Sequence, residues 1–400
     1  MTRVSGPMNR RAAGTLGGYG EHGVWQRRAA GLRRLDWMLV LTVLALSVGG
    51  AFLVRSATFQ ILTDQGQDPE GLLKRHVLNL LIGFGLGGLV TVLDYRLLRA
   101  YVPILYGLAC AGLLAVLTPL GSTINGSHSW IVIGGGFQVQ PSEFAKVGLV
   151  VLLAMLLGEP RDGEVGPGRR DVLLALALAG LPAALIMLQP DLGTTLVFTA
   201  VVLGMLAVSG ARKRWLAGLV GGGLLTAFAV WFFGLLKQYQ IDRFTAFMDP
   251  SADPRGAGYN AQQARIAIGS GNLFGKGLFQ GEQTGGHFVP EQQTDFIFTV
   301  AGEELGFVGA AVIIVLLGLV MWRGLRIASQ AADLFGTLVA TGVVCWLAFQ
   351  TFENIGMTVG IMPITGLPLP FVSYGGSATF ANMIAFGLLQ AVHVRRRTFD

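Results

Sequence analysis

Charge is what this chain has least of: Asp, Glu, Lys and Arg make up 13% of its 400 residues, against 52% hydrophobic. Mean hydropathy is +0.59, and several apolar runs of about 17 to 22 residues each match a hydrocarbon core of ~30 Å, which excludes a soluble globule. Cysteine is nearly absent. Cys110 and Cys345 both lie inside apolar runs, so neither a disulfide framework nor a cysteine metal site is expected. A removable signal peptide is not expected either, because the first 35 residues carry seven arginines and no apolar core, and the run that follows has no small-residue cleavage site. Residues 1–35 read instead as a disordered, basic cytoplasmic tail. The chain has no fixed-period repeat, no low-complexity tract and no hydrophilic stretch large enough for a second domain.

What it does have is a series of apolar runs near 37–54, 77–93, 101–120, 144–158, 172–189, 192–209, 215–236, 305–322, 334–352 and 378–394. A lipid-exposed backbone must satisfy its own hydrogen bonds, so these runs are expected to be helices. The expected fold class is all-α: a polytopic membrane domain over 36–394 with about ten transmembrane helices, followed by a cytoplasmic tail at 395–400. With the N-terminus inside, 20 of the 29 Lys and Arg residues fall in the inner segments, which satisfies the positive-inside rule and places both termini in the cytoplasm. The net charge of +6 is then a matter of topology and anionic lipid. Nucleic acid is not implied. The outer side keeps a long connection between the seventh and eighth helices, 237–304, and two shorter segments, 121–143 and 353–377. Long loops carry function more often than short ones.

Five stretches carry the candidate chemistry. In GSTINGSHSWIVIGGGFQVQPSEFAK (121–146), Pro141 suits a first helical turn, which sets Glu143 and Lys146 three residues apart on one face. With Trp130 as a headgroup anchor they read as an interfacial ion pair, and equally as a charged pocket wall. In MLQPDLGTT (187–195), Asp191 reads first as a helix cap. From 237 to 295 the long loop offers Arg243 and Arg265 among five basic and six acidic residues, so it is no polycationic patch, and its glycines follow no strand as a phosphate loop would require. In FVPEQQTDFIFTVAGEELG (288–306), a helix starting at Pro290 would put Glu291 and Asp295 one turn apart, with Glu303 and Glu304 below. A carboxylate at membrane depth costs roughly 2.5 to 3.5 kcal/mol, so it is expected to face the protein interior or a wet cavity. Asp295 leads on that ground, while Glu291 reads also as a cap or loop tether. Finally, TFENIGMTVGIMPITGLPLPFVSYGGSA (351–378) is too rich in proline and glycine for a continuous helix and too apolar for a solvated loop. Such backbone is tolerated only when buried in protein or lining a cavity, so this stretch is expected to floor the outer cavity, with Ser373 as a candidate substrate contact.

In this order between ten runs, NGSHSW, QPSEFAK, QPDLGT, VPEQQTDFIFTVAGEELGFVG and NIGMTVGIMPITGLPLPFVSYGGS resemble the SEDS family of bacterial peptidoglycan glycosyltransferases. The resemblance runs from residue 36 onward, and the last string is most similar to the elongation branch rather than the division branch. It implies a ten-helix polymerase that joins lipid II (undecaprenyl-pyrophosphate-linked disaccharide pentapeptide) outside the cytoplasmic membrane and works with a class B penicillin-binding protein. It also implies Asp295 as the catalytic residue, with Glu143 and Lys146 in the same cavity. His128 and Ser129 stand where many members have a basic pair, and Gln293 stands where histidine is common.

The chemistry can be argued from the residue types as well. Making a glycosidic bond from a sugar pyrophosphate needs a base for the acceptor hydroxyl and cations for the departing phosphates. Asp295 suits the base, and Arg243, Arg265, Lys146 or a divalent cation (Mg2+ or Mn2+) could meet the phosphates. No cofactor is otherwise called for. Direct displacement with inversion is the simplest course. The rival reading is a flippase for the lipid-linked precursor, which would need charged sites near the bilayer midplane on broken helices.

Overall fold

A computed structural model describes residues 34–396, apart from 125–126, 135–136, 160–165, 235–237, 251–252 and 254–255. The tails expected at 1–35 and 395–400 fall outside the described residues up to 33 and from 397. Seven helices lead to the long connection: α1 (Trp37–Asp64), α2 (Gly71–Val92), α3 (Leu98–Val116), α4 (Pro141–Leu157), α5 (Arg169–Leu188), α6 (Leu192–Val208) and α7 (Lys213–Phe232). The connection holds α8 (Gln238–Met248), α9 (Ala257–Ser270), α10 (Glu282–Gly285) and α11 (Ile297–Glu304). After it come α12 (Gly306–Ser329), α13 (Leu334–Val359) and α14 (Gly376–Val394). Among the described residues eight helices are long and apolar enough to cross a membrane, and α4 and α6, with 17 residues each, occupy two further apolar runs. The chain is a polytopic helical membrane protein.

Local chemistry sets the helix starts. Pro141 occupies the first turn of α4, where its missing N–H costs nothing. Asp191 caps α6 by accepting from the Thr194 N–H (2.9 Å), and Asp36 caps α1 by accepting from Leu39 (3.1 Å). Asp36 also pairs with Arg323 and exchanges two 3.0 Å hydrogen bonds with the Gln390 side chain. Arg96 pairs with Asp333, Arg99 with Glu159 and Arg395 with Asp94. The connections that the charge pattern assigns to one face therefore do meet at one end of the bundle.

Three local expectations need correction. Within the segment read as an outer connection, β1 (Gly121–Ile124), β2 (Ser127–Gly134) and β3 (Phe137–Val139) pair into a small antiparallel sheet added to the helical fold. The β-branched and aromatic run around SWIV favours this pairing over a free loop. The first helix continues from the expected end near 54 to Asp64 because its extension is held from outside: Ser56 donates to Glu304, and the Gln292 side chain donates to the Ala57 carbonyl (2.8 Å). Likewise α13 runs to Val359, through residues read as irregular, and stops at Gly360 with φ +80°. The irregular stretch is thus shorter, from 360 to 375, and it lies under the long connection beside two largely enclosed helices, α13 and α14.

Candidate active site

No helix begins at Pro290. Residues 290–296 are turns, and α11 starts only at Ile297, so the helical spacing argued for Glu291 and Asp295 does not apply. What organises the turn is the Glu291 carbonyl, which accepts from the N–H groups of Thr294 (3.1 Å), Asp295 (3.1 Å) and Phe296 (3.3 Å). Glu291 itself has φ +51°. The irregular stretch then grips the turn from below. Asn354 of α13 donates both to the Asp295 carbonyl and to the Leu367 carbonyl, each at 2.7 Å. Ser373 donates to the Thr294 carbonyl (2.6 Å) while accepting from the Leu369 N–H (2.8 Å), and the Tyr374 N–H donates to the Gln293 carbonyl (2.9 Å). Buried irregular backbone is tolerated here because its polar groups find these partners.

The Asp295 side chain lies against Gly366, where an added Cβ would sit 3.2 Å from Oδ2 at φ +77°, so only glycine lets this loop approach so closely. Burial pushes the Asp295 carboxyl up to about 7. The Glu291 charge adds to that rise, and the Thr294 hydroxyl and Arg243 oppose it. A carboxyl poised near neutrality can accept a proton at working pH and release it again.

Behind the turn, Lys146 and Glu143 of α4 form an ion pair at 2.8 Å with almost no exposure. The ammonium also donates to Gln350 Oε1 (2.9 Å) and lies 4.7 Å from the centre of the Trp346 ring. Gln350 accepts from Trp346 Nε1 as well (2.7 Å) and donates to the Pro368 carbonyl (2.7 Å). Gln350 and Asn354 are four residues apart, one above the other on α13. One strip of that helix therefore ties the buried lysine to the loop, and the loop to Asp295. Asp191 is close enough for its charge to act on both Asp295 and Lys146.

Comparison with known proteins decides the lineage. The FtsW/RodA/SpoVE cell cycle protein model matches residues 36–398. The chain belongs to that family. It is 38% identical over 365 residues to the peptidoglycan glycosyltransferase MrdB of Escherichia coli K12, covering 91% of this chain and 94% of that one. It also resembles a chain of a peptidoglycan synthase complex that coordinates polymerization and crosslinking, with 34% identity, a TM-score of 0.73, and coverage of 90% of this chain and 98% of that one. The rod shape determining protein RodA of Thermus thermophilus is 32% identical at a TM-score of 0.66, covering 91% of this chain and 98% of that one.

Within this family member the expected site residues fall into distinct places. Arg243 on α8 and Arg265 on α9 line one small cleft with Ala246, Met357 and Pro363, and Arg265 donates to the Gly360 carbonyl (3.2 Å). Glu291 is half-buried beside Thr294 and Gln293. Lys146, Glu143 and Ser373 are enclosed, so they hold the mouth's geometry rather than form its open wall. Trp130 sits on β2, paired with Ser122. Gln350 and Asn354 were not singled out in the sequence; their one visible signal is amide side chains at i and i+4 inside an apolar span. Among the described residues no group of three or more His, Cys, Asp or Glu side chains could hold a metal ion.

The lower two carboxylates do not belong to this mouth. Glu303 accepts from the Gln283 N–H (2.8 Å), the Thr284 N–H (2.8 Å) and the Thr284 hydroxyl (2.7 Å), while Glu304 takes the Ser56 hydroxyl. Glu303 ties α10 to α11 within the long connection, and Glu304 fastens that connection to α1. Glu303→Gln would turn an amide N–H toward a site that offers only donors, at a cost of roughly 1–3 kcal/mol. The expected outcome is a melting temperature lowered by several degrees with the rate per folded molecule near the parent's. An unchanged thermal transition would remove this anchoring role.

Proposed function

We propose that this chain is a peptidoglycan glycosyltransferase that polymerises lipid II on the outer face of the bacterial cytoplasmic membrane, in the elongation branch of its family. The observation that carries the reading is a clamped carboxyl, Asp295, held near neutrality beside a cleft with two arginines. Asp295 takes the proton from the acceptor sugar hydroxyl as that oxygen attacks the anomeric carbon of the donor. The bond from that carbon to the pyrophosphate breaks, inverting the centre, and Arg243 and Arg265 meet the charge on the leaving polyprenyl pyrophosphate. Lys146, Glu143, Gln350 and Asn354 keep the base in place. Glu291 and Trp130 would border the sugar-binding side, and Ser373 would hold the turn.

The test is strand formation by the purified protein in vesicles with lipid II. Because Asp295 must be ionised to act as base, the rate is expected to fall about tenfold per pH unit below about 7 and to level off above it. A flippase would move lipid II across the bilayer without lengthening it, and a rate indifferent to pH between 5 and 8 would remove Asp295 as base.

A class B penicillin-binding protein is the partner this reading calls for, and the likeness to a chain of a peptidoglycan synthase complex supports it. The same reading places both termini in the cytoplasm. A reporter active only outside the membrane should work when inserted near Gly285 and be silent near Gly166; the reverse pattern would sink that orientation.

A further inference from the structure

A sizeable cavity among the described residues lies outside the site described so far. It is a groove of about 400 Å3 between α1 and α12, lined by Ala45, Gly49, Leu53, Val308, Val312 and their neighbours without one polar side chain. Its α12 wall occupies the first turns after Gly306, on the half of the bundle nearest the long connection. Gly49, Val308 and Val312 are open to the surroundings, which for these spans is hydrocarbon. The deep wall is Val372. There the backbone of α1 at Gly50 runs so close that an added Cβ would collide with the Val372 carbonyl. The next residue is Ser373, whose hydroxyl holds the carbonyl of Thr294, next to Asp295. One wall of the groove is therefore part of the clamp on the base.

We propose that this groove seats the pyrophosphate-proximal isoprene units of a polyprenyl-linked sugar substrate, an inference that rests on the polymerase reading above. The occupant must be hydrocarbon, since the lining offers no hydrogen bond to a peptide or sugar. A transmembrane helix of a partner, about 10–12 Å across, is too wide for a slot between two helices already in contact. From Ala45 to Leu53 the groove follows α1 for about 12 Å at 1.5 Å per residue, enough for only the first few isoprene units. The remainder of the chain stays in the bilayer. Continuity with Val372 and Ser373 is what favours a substrate tail over a bulk phospholipid chain, because a tail seated here brings its headgroup to Asp295.

Gly49 has nothing within 4 Å of an added Cβ, so Gly49→Leu fills the groove without a clash, and Val312→Trp fills it from the other side. Both should raise the KM for lipid II at least ~10-fold with kcat within about twofold of the parent. Val315→Trp, on the same helix but not in the groove lining, should match the parent in both. A benzophenone amino acid at Val312 should label lipid II, and excess unlabelled lipid II should suppress the label. Failure of the parent to polymerise at all would defeat the polymerase reading. A polymerising parent whose Gly49→Leu and Val312→Trp forms keep its KM would overturn the groove assignment alone. So would benzophenone label that stays on phosphatidylglycerol, or on another membrane protein, despite excess lipid II.

Discussion

Replacing Lys146 with alanine should lower the polymerisation rate by at least ~10²-fold, the scale of displacing a catalytic group by about an ångström. Glu143→Gln should cost less, because it keeps the ammonium and an acceptor oxygen in place. In the structure the ammonium holds Glu143, Gln350 and the Trp346 face at once, and Gln350 in turn holds the Pro368 carbonyl of the loop that lies against Asp295. Removing Lys146 also strands a buried carboxylate, which on its own costs roughly 3–5 kcal/mol of stability. Folding and chemistry are separated by the double variant Glu143→Gln with Lys146→Met, which removes both charges together. It should recover a parent-like thermal transition and stay inactive. A neutral pair that polymerises at the parent's rate would return these residues to a purely structural role.

Much of this architecture was legible because the bilayer imposes it. Apolar runs, arginine asymmetry, Pro141 at a helix start and Asp191 as a cap follow from local chemistry, and the structure places helices and caps accordingly. Asp295 was legible because a carboxylate beside an apolar span needs a reason to be there. Its true setting was not. A helix from Pro290 is a fair reading of spacing, but spacing cannot reveal that three N–H groups would converge on the Glu291 carbonyl, or that Asn354 and Ser373 would draw the turn onto another loop. Glu303 and Glu304 look like the same acidic cluster in sequence, yet their partners are Thr284 and Ser56, at sequence distances no local rule spans. Gln350 and Asn354 were invisible for a related reason: one amide in an apolar helix says nothing until the carbonyls it serves are known. The sheet of β1, β2 and β3 was missed because two of its three strands have only four and three residues.

Asp295→Asn carries the second large effect. Asparagine keeps the size of aspartate and its hydrogen-bonding reach but cannot take up a proton at useful pH. The bond from Asn354 reaches the Asp295 backbone carbonyl, not its carboxylate, so the clamp survives the substitution. The variant should insert, express and bind lipid II nearly as the parent does, while losing at least ~10²-fold in rate, the lower end for a missing general base. Asp295→Glu should retain little, because one added methylene moves the carboxylate toward Gly366 by about an ångström, and such misplacement can cost ~10²-fold. The most direct measurement is therefore the rate of glycan strand formation by purified parent and Asp295→Asn proteins, both shown to be folded, in the same vesicles with lipid II and the same class B penicillin-binding protein. Strands from the parent and almost none from Asp295→Asn is the predicted result; strands from both at similar rates would contradict it.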